Sequence, residues 1–186
     1  MENVTERERY DPGPARGAQV RKNGEKWTLI LIRELRHAPA MVWESLIDPV
    51  QLREWAPFEV DRRLDTTGAA VNLTWVGTAN VSEATVIRAD APRMLEYGDM
   101  RWELEPLGNG TRLTLWHSID RRFISWGAAG WHICIDVLER LLAGEAIGLI
   151  AGAAAMNFGW QRLVTEYAKQ FGTEAPSWPP KGAKKS

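Results

Sequence analysis

Six short β-like segments in the middle of the sequence constrain its fold more than any other feature. Turn-forming residues, chiefly glycine and proline, separate them, and only a few residues connect one segment to the next. A parallel crossover needs about a dozen residues or more, so segments this close together can pair only as antiparallel hairpins. The sequence therefore predicts one antiparallel, meandering sheet. Its strands are expected at residues 58–64, 71–76, 81–89, 93–97, 101–107 and 112–119.

The clearest hairpin covers residues 102–117. Gly108 and Gly110 tolerate the positive φ that a tight turn requires, so the chain is expected to reverse there. Successive side chains of a strand point to opposite faces, which places Trp102 and Leu104 on one face and the intervening glutamates on the other. One face of the sheet is therefore predicted to be apolar.

A strand and two short helices are predicted ahead of this sheet. Residues 27–35 form a run rich in isoleucine and leucine, which is typical of a strand buried on both faces. Pro39 suits the first turn of a helix over 38–48, and Pro49 ends that helix. Residues 50–55 predict a second short helix, which stops before a proline.

After the sheet the hydrophobic period changes from two residues to about 3.6, which indicates a helix. Residues 130–143 carry an apolar stripe, and Gly144 stands where a C-terminal cap is expected. His132 lies four residues before Asp136 on the polar stripe, so the two are expected to form a surface ion pair. A final helix is predicted over 158–171. The order of elements predicts an α+β fold in which the sheet packs against the long helix.

Length and composition predict one domain with polar ends. The chain has 186 residues, of which 45% are hydrophobic, and this suffices for a single core, expected at 26–172. Residues 1–25 are polar and carry charges of both signs, so they predict a mobile arm. Residues 173–186 have the same character and predict a tail, in which Trp178 is the residue suited to docking.

Charge and hydropathy argue against several classes of partner. The formal net charge of -1 offers no electrostatic basis for binding nucleic acid or an anionic membrane. The apolar run at 146–156 is too short for a membrane span, which needs roughly 20 residues. Cys134 is the single cysteine, which rules out an internal disulfide and predicts an inert core thiol. The charged N-terminus lacks the apolar segment of a signal peptide, and the cytoplasm is the expected compartment.

Three phrases of the sequence carry a family resemblance. They are Ala38-Pro-Ala-Met-Val-Trp43 running into Asp48-Pro49, Gly110-Thr-Arg-Leu-Thr-Leu-Trp-His117, and the segment from Gly130 to Gly144. Together with the order of elements, they resemble the START-like (SRPBCC) superfamily over residues 27–172, in the branch related to the heat-shock protein 90 ATPase activator. The resemblance implies the helix-grip fold, an antiparallel sheet wrapped around a long C-terminal helix. It also implies a cavity between sheet and helix for an apolar or amphipathic small molecule, although some relatives act as cyclases and others bind a chaperone.

Aromatic residues are the main candidates for lining such a cavity, because small-molecule pockets are mostly apolar with a few orienting polar groups. The sequence contains ten tryptophans. The alternative is that these rings simply fill the core between helix and sheet. The predicted ligand-binding residues are Trp55, Trp75, Trp102, Leu104, His117, Trp126, Trp131 and Leu138.

His117 is the histidine expected inside the domain. Strand alternation places it on the same side as Leu115 and Ile119, which should face the long helix. A buried imidazole needs a hydrogen-bond partner. A partner from the protein, such as a backbone carbonyl or the Asp120 region, would make the histidine structural. An unpaired nitrogen facing the cavity would make it a ligand anchor or a general base.

Patterns that indicate catalysis are scarce. The sequence has no metal-ligand spacing of histidine or cysteine and no glycine-rich phosphate loop, so no cofactor is expected. The leading hypothesis is a non-catalytic protein that binds a hydrophobic or aromatic small molecule. A cyclase or isomerase would need an acid or base in the cavity, for which His117 with Asp120 or Glu103 are the candidates. A chaperone-binding module would instead use a surface patch and leave the cavity small, and homodimerisation stays open.

Overall fold

The computed structural model describes residues 4–176, which form an eight-stranded sheet and four α-helices. The strands are β1 (Ala18–Arg21), β2 (Lys26–Leu35), β3 (Phe58–Val60), β4 (Ala70–Trp75), β5 (Val81–Asp90), β6 (Met94–Tyr97), β7 (Met100–Leu107) and β8 (Gly110–Asp120). The helices are α1 (Pro39–Ile47), α2 (Pro49–Trp55), α3 (Ile124–Leu142) and α4 (Trp160–Phe171), with 3₁₀ turns at Arg121–Phe123 and Gly152–Phe158. Most of the predicted tail, including Trp178, lies outside the described residues.

All strand pairs within the described sheet are antiparallel, in the order β1-β2-β8-β7-β6-β5-β4-β3. Strands β3 to β8 follow one another as a meander, and β2 returns to pair with β8 along its whole length. Leu107 pairs with Gly110, so the hairpin predicted from the glycines turns through two residues, the first of which, Gly108, has a φ of 58°. The predicted antiparallel meander is confirmed.

The long helix α3 packs against the curled sheet and contacts β2, β8 and both short helices. It begins at Ile124, earlier than the predicted start at residue 130. Gly127 allows this part of the helix to lie close to β8, because a Cβ at its position would lie only 2.5 Å from Cδ1 of Ile119. The predicted α+β helix-grip fold is confirmed, with a longer helix than the sequence pattern indicated.

The two short helices form one unit that packs on α3. Pro39 stands in the first turn of α1, as predicted. The carboxylate of Asp48 accepts a hydrogen bond from the backbone N–H of Val50 at 3.0 Å and so caps the start of α2. The buried Trp55 donates its indole N–H to the carbonyl oxygen of Ser45 at 2.9 Å, which ties the end of α2 to α1.

The N-terminal residues pack against the domain, which the sequence did not indicate. A mobile arm is predicted through residue 25, yet β1 pairs with β2 at the edge of the sheet, and Tyr10 is buried. Residues 4–17, named the N-terminal strap here, contact α3 and α4. The hydroxyl of Tyr10 donates to Asp136 on α3 at 2.7 Å, and Arg162 on α4 donates to a strap carbonyl at 2.9 Å. The strap packs on the domain largely through hydrogen bonds, and its polar composition therefore did not indicate this packing.

The apolar run at 146–156 packs beside α3 as a loop that leads into the second 3₁₀ turn. Its residues Ile150 and Ala155 are buried in the core. Within residues 4–176, no helix is long and apolar enough to cross a membrane. The run instead supplies one wall of a cavity.

Candidate functional site

A cavity of about 640 Å³ opens between β8, the first half of α3 and the loop at 150–156. Small-molecule sites in proteins usually measure about 300–1,000 Å³. No aspartate, glutamate, lysine or arginine of the described chain lines the cavity, and most of its wall is apolar. Its aromatic lining consists of Trp75, Phe123, Trp126, Trp131 and Trp160.

The structure divides the eight predicted ligand-binding residues into two groups. Trp75, His117, Trp126 and Trp131 line the cavity. Trp55, Trp102, Leu104 and Leu138 are buried in the hydrophobic core and do not line it. The rings of Trp102 and Trp55 lie behind Trp131, with centroids 5.3 and 6.5 Å from the centroid of Trp131. These two tryptophans therefore support the wall and lie too deep to touch a ligand in the cavity as it stands.

His117 bonds to the cavity wall through one ring nitrogen. The indole N–H of Trp131 donates to His117 Nδ1 at 3.0 Å, and the imidazole lies parallel to the ring of Trp75 with centroids 6.0 Å apart. The sequence leaves two outcomes open for this ring, a partner from the protein, such as a backbone carbonyl or the Asp120 region, or an unpaired nitrogen that faces the cavity. The partner of Nδ1 is neither of these two examples but an indole. An indole N–H can only donate, which means that Nδ1 carries no hydrogen. The neutral ring therefore carries its hydrogen on Nε2.

Burial lowers the pKa of His117 to about 4, because the wall removes water that would stabilise the charged ring. Asp99 opposes this shift, and Lys26 adds to it. At neutral pH the imidazole is therefore uncharged. It can donate one hydrogen bond from Nε2, but it is a weak base.

Sequence reasoning missed the wall formed by Ile150, Met156 and Trp160. The ring of Trp160 packs on Trp126 with centroids 5.6 Å apart, and the indole N–H of Trp126 donates to the Pro176 carbonyl at 3.2 Å. These wall residues come from the apolar run at 146–156 and from the start of α4. The signal that could have found them is the lack of polar side chains at 146–156, since a solvated loop would carry some.

Residues 147–150, which lead into the cavity wall, are hydrogen-bonded to the strap and to α3. One Nη atom of Arg7 lies 3.0, 3.0 and 3.1 Å from the carbonyl oxygens of three successive residues, Ile147 to Leu149. The thiol of Cys134 donates weakly to the Ile150 carbonyl at 3.8 Å, and burial raises its pKa to about 12. A thiol with so high a pKa is unreactive at neutral pH, which agrees with the predicted inert core cysteine.

The two carboxylates considered as catalytic partners of His117 do not line the cavity. Asp120 accepts hydrogen bonds from the guanidinium of Arg122 at 3.0 and 2.8 Å, and these bonds lower its pKa to about 2. Glu103 lies 2.9 Å from Nε of Arg101. Among residues 4–176, no group of histidine, cysteine and acidic side chains is placed to hold a metal ion. Neither of these two carboxylates is placed to act with His117 on a molecule in the cavity.

His132 is fully buried beneath the strap, so its predicted surface position is wrong. Its Nε2 lies 2.7 Å from the Pro12 carbonyl, and its Nδ1 lies 2.7 Å from the hydroxyl of Tyr167. Nε2 also lies 3.1 Å from Nη1 of Arg16, which itself donates to the Pro12 carbonyl at 3.2 Å. Because a carbonyl can only accept and its contact with Nε2 is the shorter one, the ring hydrogen is assigned to Nε2, and Nδ1 then accepts from the Tyr167 hydroxyl. Burial, reinforced by Arg33, lowers the pKa of His132 to about 4. The ring is neutral near pH 7, and the predicted ion pair with Asp136, 3.5 Å away, does not form there.

Comparison with known proteins adds a family to this geometry. The model of the family described as Activator of Hsp90 ATPase homolog 1-like protein matches residues 36–143. The matched range exceeds half of the chain and runs from α1 through the end of α3. Among curated proteins, none matches the sequence.

Several solved structures share the fold at low sequence identity. The solution structure of CalU16 from Micromonospora echinospora is 18% identical, covers 86% of this chain and 95% of its own, and has a TM-score of 0.61. A conserved protein of unknown function from Enterococcus faecalis is 16% identical, with coverages of 82% and 89% and a TM-score of 0.62. A protein from Nitrosomonas europaea is 23% identical, with coverages of 67% and 99% and a TM-score of 0.54. At these identities the likeness concerns the fold alone.

Proposed function

This chain belongs to the family of Activator of Hsp90 ATPase homolog 1-like proteins, and we propose that it binds a neutral hydrophobic or aromatic small molecule in the cavity beside α3. The observation that carries the proposal is the cavity itself, with about 640 Å³ of space and five aromatic rings in its wall. Family membership does not choose the function, because one fold hosts many activities.

The absence of charge around the cavity supports a neutral ligand. No aspartate, glutamate, lysine or arginine side chain of residues 4–176 lines the wall. A charged ligand group would lose its hydration without gaining a partner, which is costly. The polar side chain of His117, which lines the cavity, suits a hydrogen bond to an uncharged group.

Rigid packing around Trp131 supports a site that exists before the ligand arrives. The Trp131 ring meets Trp102 edge-on at an interplanar angle of 80°, and its indole N–H is held by His117. A side chain already fixed in the free protein loses little entropy when a ligand binds. The aromatic wall is therefore suited to a planar, apolar molecule.

Two other functions explain less of the geometry. A cyclase or isomerase would use His117 as its base, yet neither Asp120 nor Glu103 reaches the cavity to assist it. A chaperone-binding module needs no internal cavity, whereas this cavity falls within the size range of small-molecule sites. Binding without catalysis accounts for both the cavity and its uncharged lining.

Titration with N-phenylnaphthylamine, an uncharged apolar dye that fluoresces more strongly in apolar surroundings, tests the proposal. Gly130 lines the cavity, and a Cβ at its position would find its nearest neighbour, Trp160 Nε1, 4.0 Å away. Gly130→Leu should therefore fill part of the cavity without a backbone clash. We expect saturable binding to the wild type and binding weaker by about tenfold or more in Gly130→Leu, because each displaced ligand atom forfeits up to about 1.5 kcal/mol.

Gly130→Ala is the matched control, because it changes the helix at the same position but adds a single methyl group. It should bind the dye nearly as well as the wild type. A wild type without saturable binding, or a Gly130→Leu variant that binds as tightly as the wild type, would contradict the proposed site.

A further inference from the structure

The bond between Trp131 and His117 determines which hydrogen bonds the cavity can offer. Because the indole N–H occupies Nδ1 at 3.0 Å, the other tautomer of His117 would set one N–H against another. Abandoning that bond would leave the N–H of Trp131, a buried residue, without its acceptor, at substantial cost. Nε2 of His117 is therefore held as a donor.

This donor is unused by the protein. Within residues 4–176, Nε2 of His117 has no hydrogen-bond partner. A few side-chain atoms of this part of the chain are both unpartnered and fully buried, and Nε2 of His117 is not among them. The atom is therefore accessible, and His117 is a cavity-lining residue. A donor at the edge of an apolar space gains from meeting an acceptor there, since buried polar groups are nearly always paired.

His132 shows, within the same molecule, what such a donor binds. It is neutral, carries its hydrogen on Nε2, and places that nitrogen 2.7 Å from the carbonyl oxygen of Pro12. His117 has the same tautomer, but residues 4–176 supply no hydrogen-bonded oxygen at the corresponding position.

We infer that the ligand carries a hydrogen-bond acceptor oxygen, such as the carbonyl of a ketone, quinone or ester, and that this oxygen binds at Nε2 of His117. The inference rests on the proposed function, because it names the ligand class of the same cavity. A molecule that offers only a donor at this position would oppose the N–H and bind more weakly than its carbonyl counterpart.

Acetylnaphthalene and isopropenylnaphthalene, substituted at the same ring position, test this selectivity. The two molecules have nearly the same shape, but a C=O group in the first replaces a C=CH₂ group in the second. Quenching of tryptophan fluorescence gives the Kd of each. The ratio of the two values must be compared between proteins, because the ketone is also better solvated in water.

Two variants separate the donor from the structural bond. His117→Asn places an amide oxygen where Nδ1 stands, so Trp131 keeps an acceptor, but its side chain is too short to place a donor at Nε2. His117→Gln reaches the Nε2 position with an amide N–H and gives up the bond to Trp131. We expect the preference for the ketone to fall roughly tenfold in His117→Asn, the worth of one neutral hydrogen bond, and to recover partly in His117→Gln.

The carbonyl stretching frequency of bound acetylnaphthalene gives an independent reading. It should lie lower in the wild type than in His117→Asn, because a hydrogen bond weakens the C=O bond. If both molecules bind but their Kd ratio and the carbonyl frequency are the same in the two proteins, the donor role of His117 is overturned and the cavity proposal survives. If the wild type binds neither molecule, the proposed function fails as well.

Discussion

His117 at the cavity and His132 beneath the N-terminal strap are the same group in two different states of bonding. Burial lowers the pKa of each ring to about 4. Within the described part of the chain, both nitrogens of His132 are hydrogen-bonded, whereas His117 bonds through Nδ1 alone. A lowered pKa therefore does not distinguish a binding site from a structural histidine. The unused hydrogen-bonding atom does.

The surroundings of the two rings also differ, since His132 lies among polar groups that bond to one another and His117 lies at an apolar wall. The strap region holds a polar network in which Tyr10 donates to Asp136 and the hydroxyl of Tyr167 accepts from the backbone N–H of Arg16. The cavity region has an apolar wall without charged side chains within the described chain. We therefore expect changes at the strap to alter stability and changes at the cavity to alter ligand binding.

The largest effect is expected from Leu138→Ala, which tests the core that separates the two regions. Leu138 is fully buried and does not line the cavity, although the sequence analysis placed it in the ligand set. Truncation should lower the free energy of unfolding by roughly 2–5 kcal/mol, measured by urea denaturation. Dye binding should be unchanged at temperatures where the variant is folded. If the folded variant no longer bound the dye, Leu138 would belong to the ligand-binding site.

His132→Phe should cost somewhat less and should also spare binding. The phenyl ring keeps most of the volume, but it leaves the Pro12 carbonyl with the donor from Arg16 alone among the described residues and the Tyr167 hydroxyl without one of its partners. We expect a loss of roughly 2–3 kcal/mol in the same denaturation measurement. His117→Asn, which preserves a partner for Trp131, is the matched control and should lose less stability but more ketone selectivity. If His117→Asn lost more stability than His132→Phe, and His132→Phe lost more ketone selectivity, the two regions would not differ in the way described.

Acid should destabilise the protein through both histidines. Their ordinary pKa is 6.5, so as the pH falls the unfolded chain takes up protons that the folded protein, with pKa values near 4, does not. Stability is therefore greatest above pH 6.5 and declines toward pH 4, by up to about 1.4 kcal/mol per pH unit for each ring. Unfolding measured against pH should be shallower in His132→Phe. An unchanged slope would show that His132 titrates normally in the folded state.

The smallest effect separates two glycines of α3. A Cβ at Gly130 has room, so Gly130→Ala should raise the free energy of unfolding by about 0.5–1 kcal/mol through helix propensity. A Cβ at Gly127 would meet Ile119, so Gly127→Ala should forfeit much of that gain. Equal thermal stabilisation of the two variants would contradict this prediction and would show that the Ile119 side chain moves aside at little cost.

Local patterns were sufficient to predict most of the fold. The glycines at residues 108 and 110, the prolines at 39 and 49 and the change of period after residue 119 lie where elements turn, begin or end. Strand β1 escaped prediction because its four residues sit among charges and pair with β2 only at the edge of the sheet. The start of α3 escaped because glycines at its N-terminal end weaken the helical pattern.

Local patterns could not predict how deeply a side chain lies in the domain or whether a segment distant in sequence covers it. Alternation places Trp102 on the inner face, but it does not tell whether the ring reaches the cavity or lies behind Trp131. His132 occupies a polar stripe that would be exposed if the strap did not cover it. Both facts depend on residues far away in sequence. The side of β8 on which His117 lies was predictable, but its bond to Trp131 was not.

The most direct test of binding in the cavity is a titration followed through the indole N–H resonances of the ¹⁵N-labelled protein. On addition of acetylnaphthalene, the resonances of the cavity-lining Trp75, Trp126, Trp131 and Trp160 should shift with a common Kd. Those of Trp27, Trp43 and Trp116, which do not line the cavity, should stay in place. Shifts confined to this second group, or no saturable shift at all, would contradict the account.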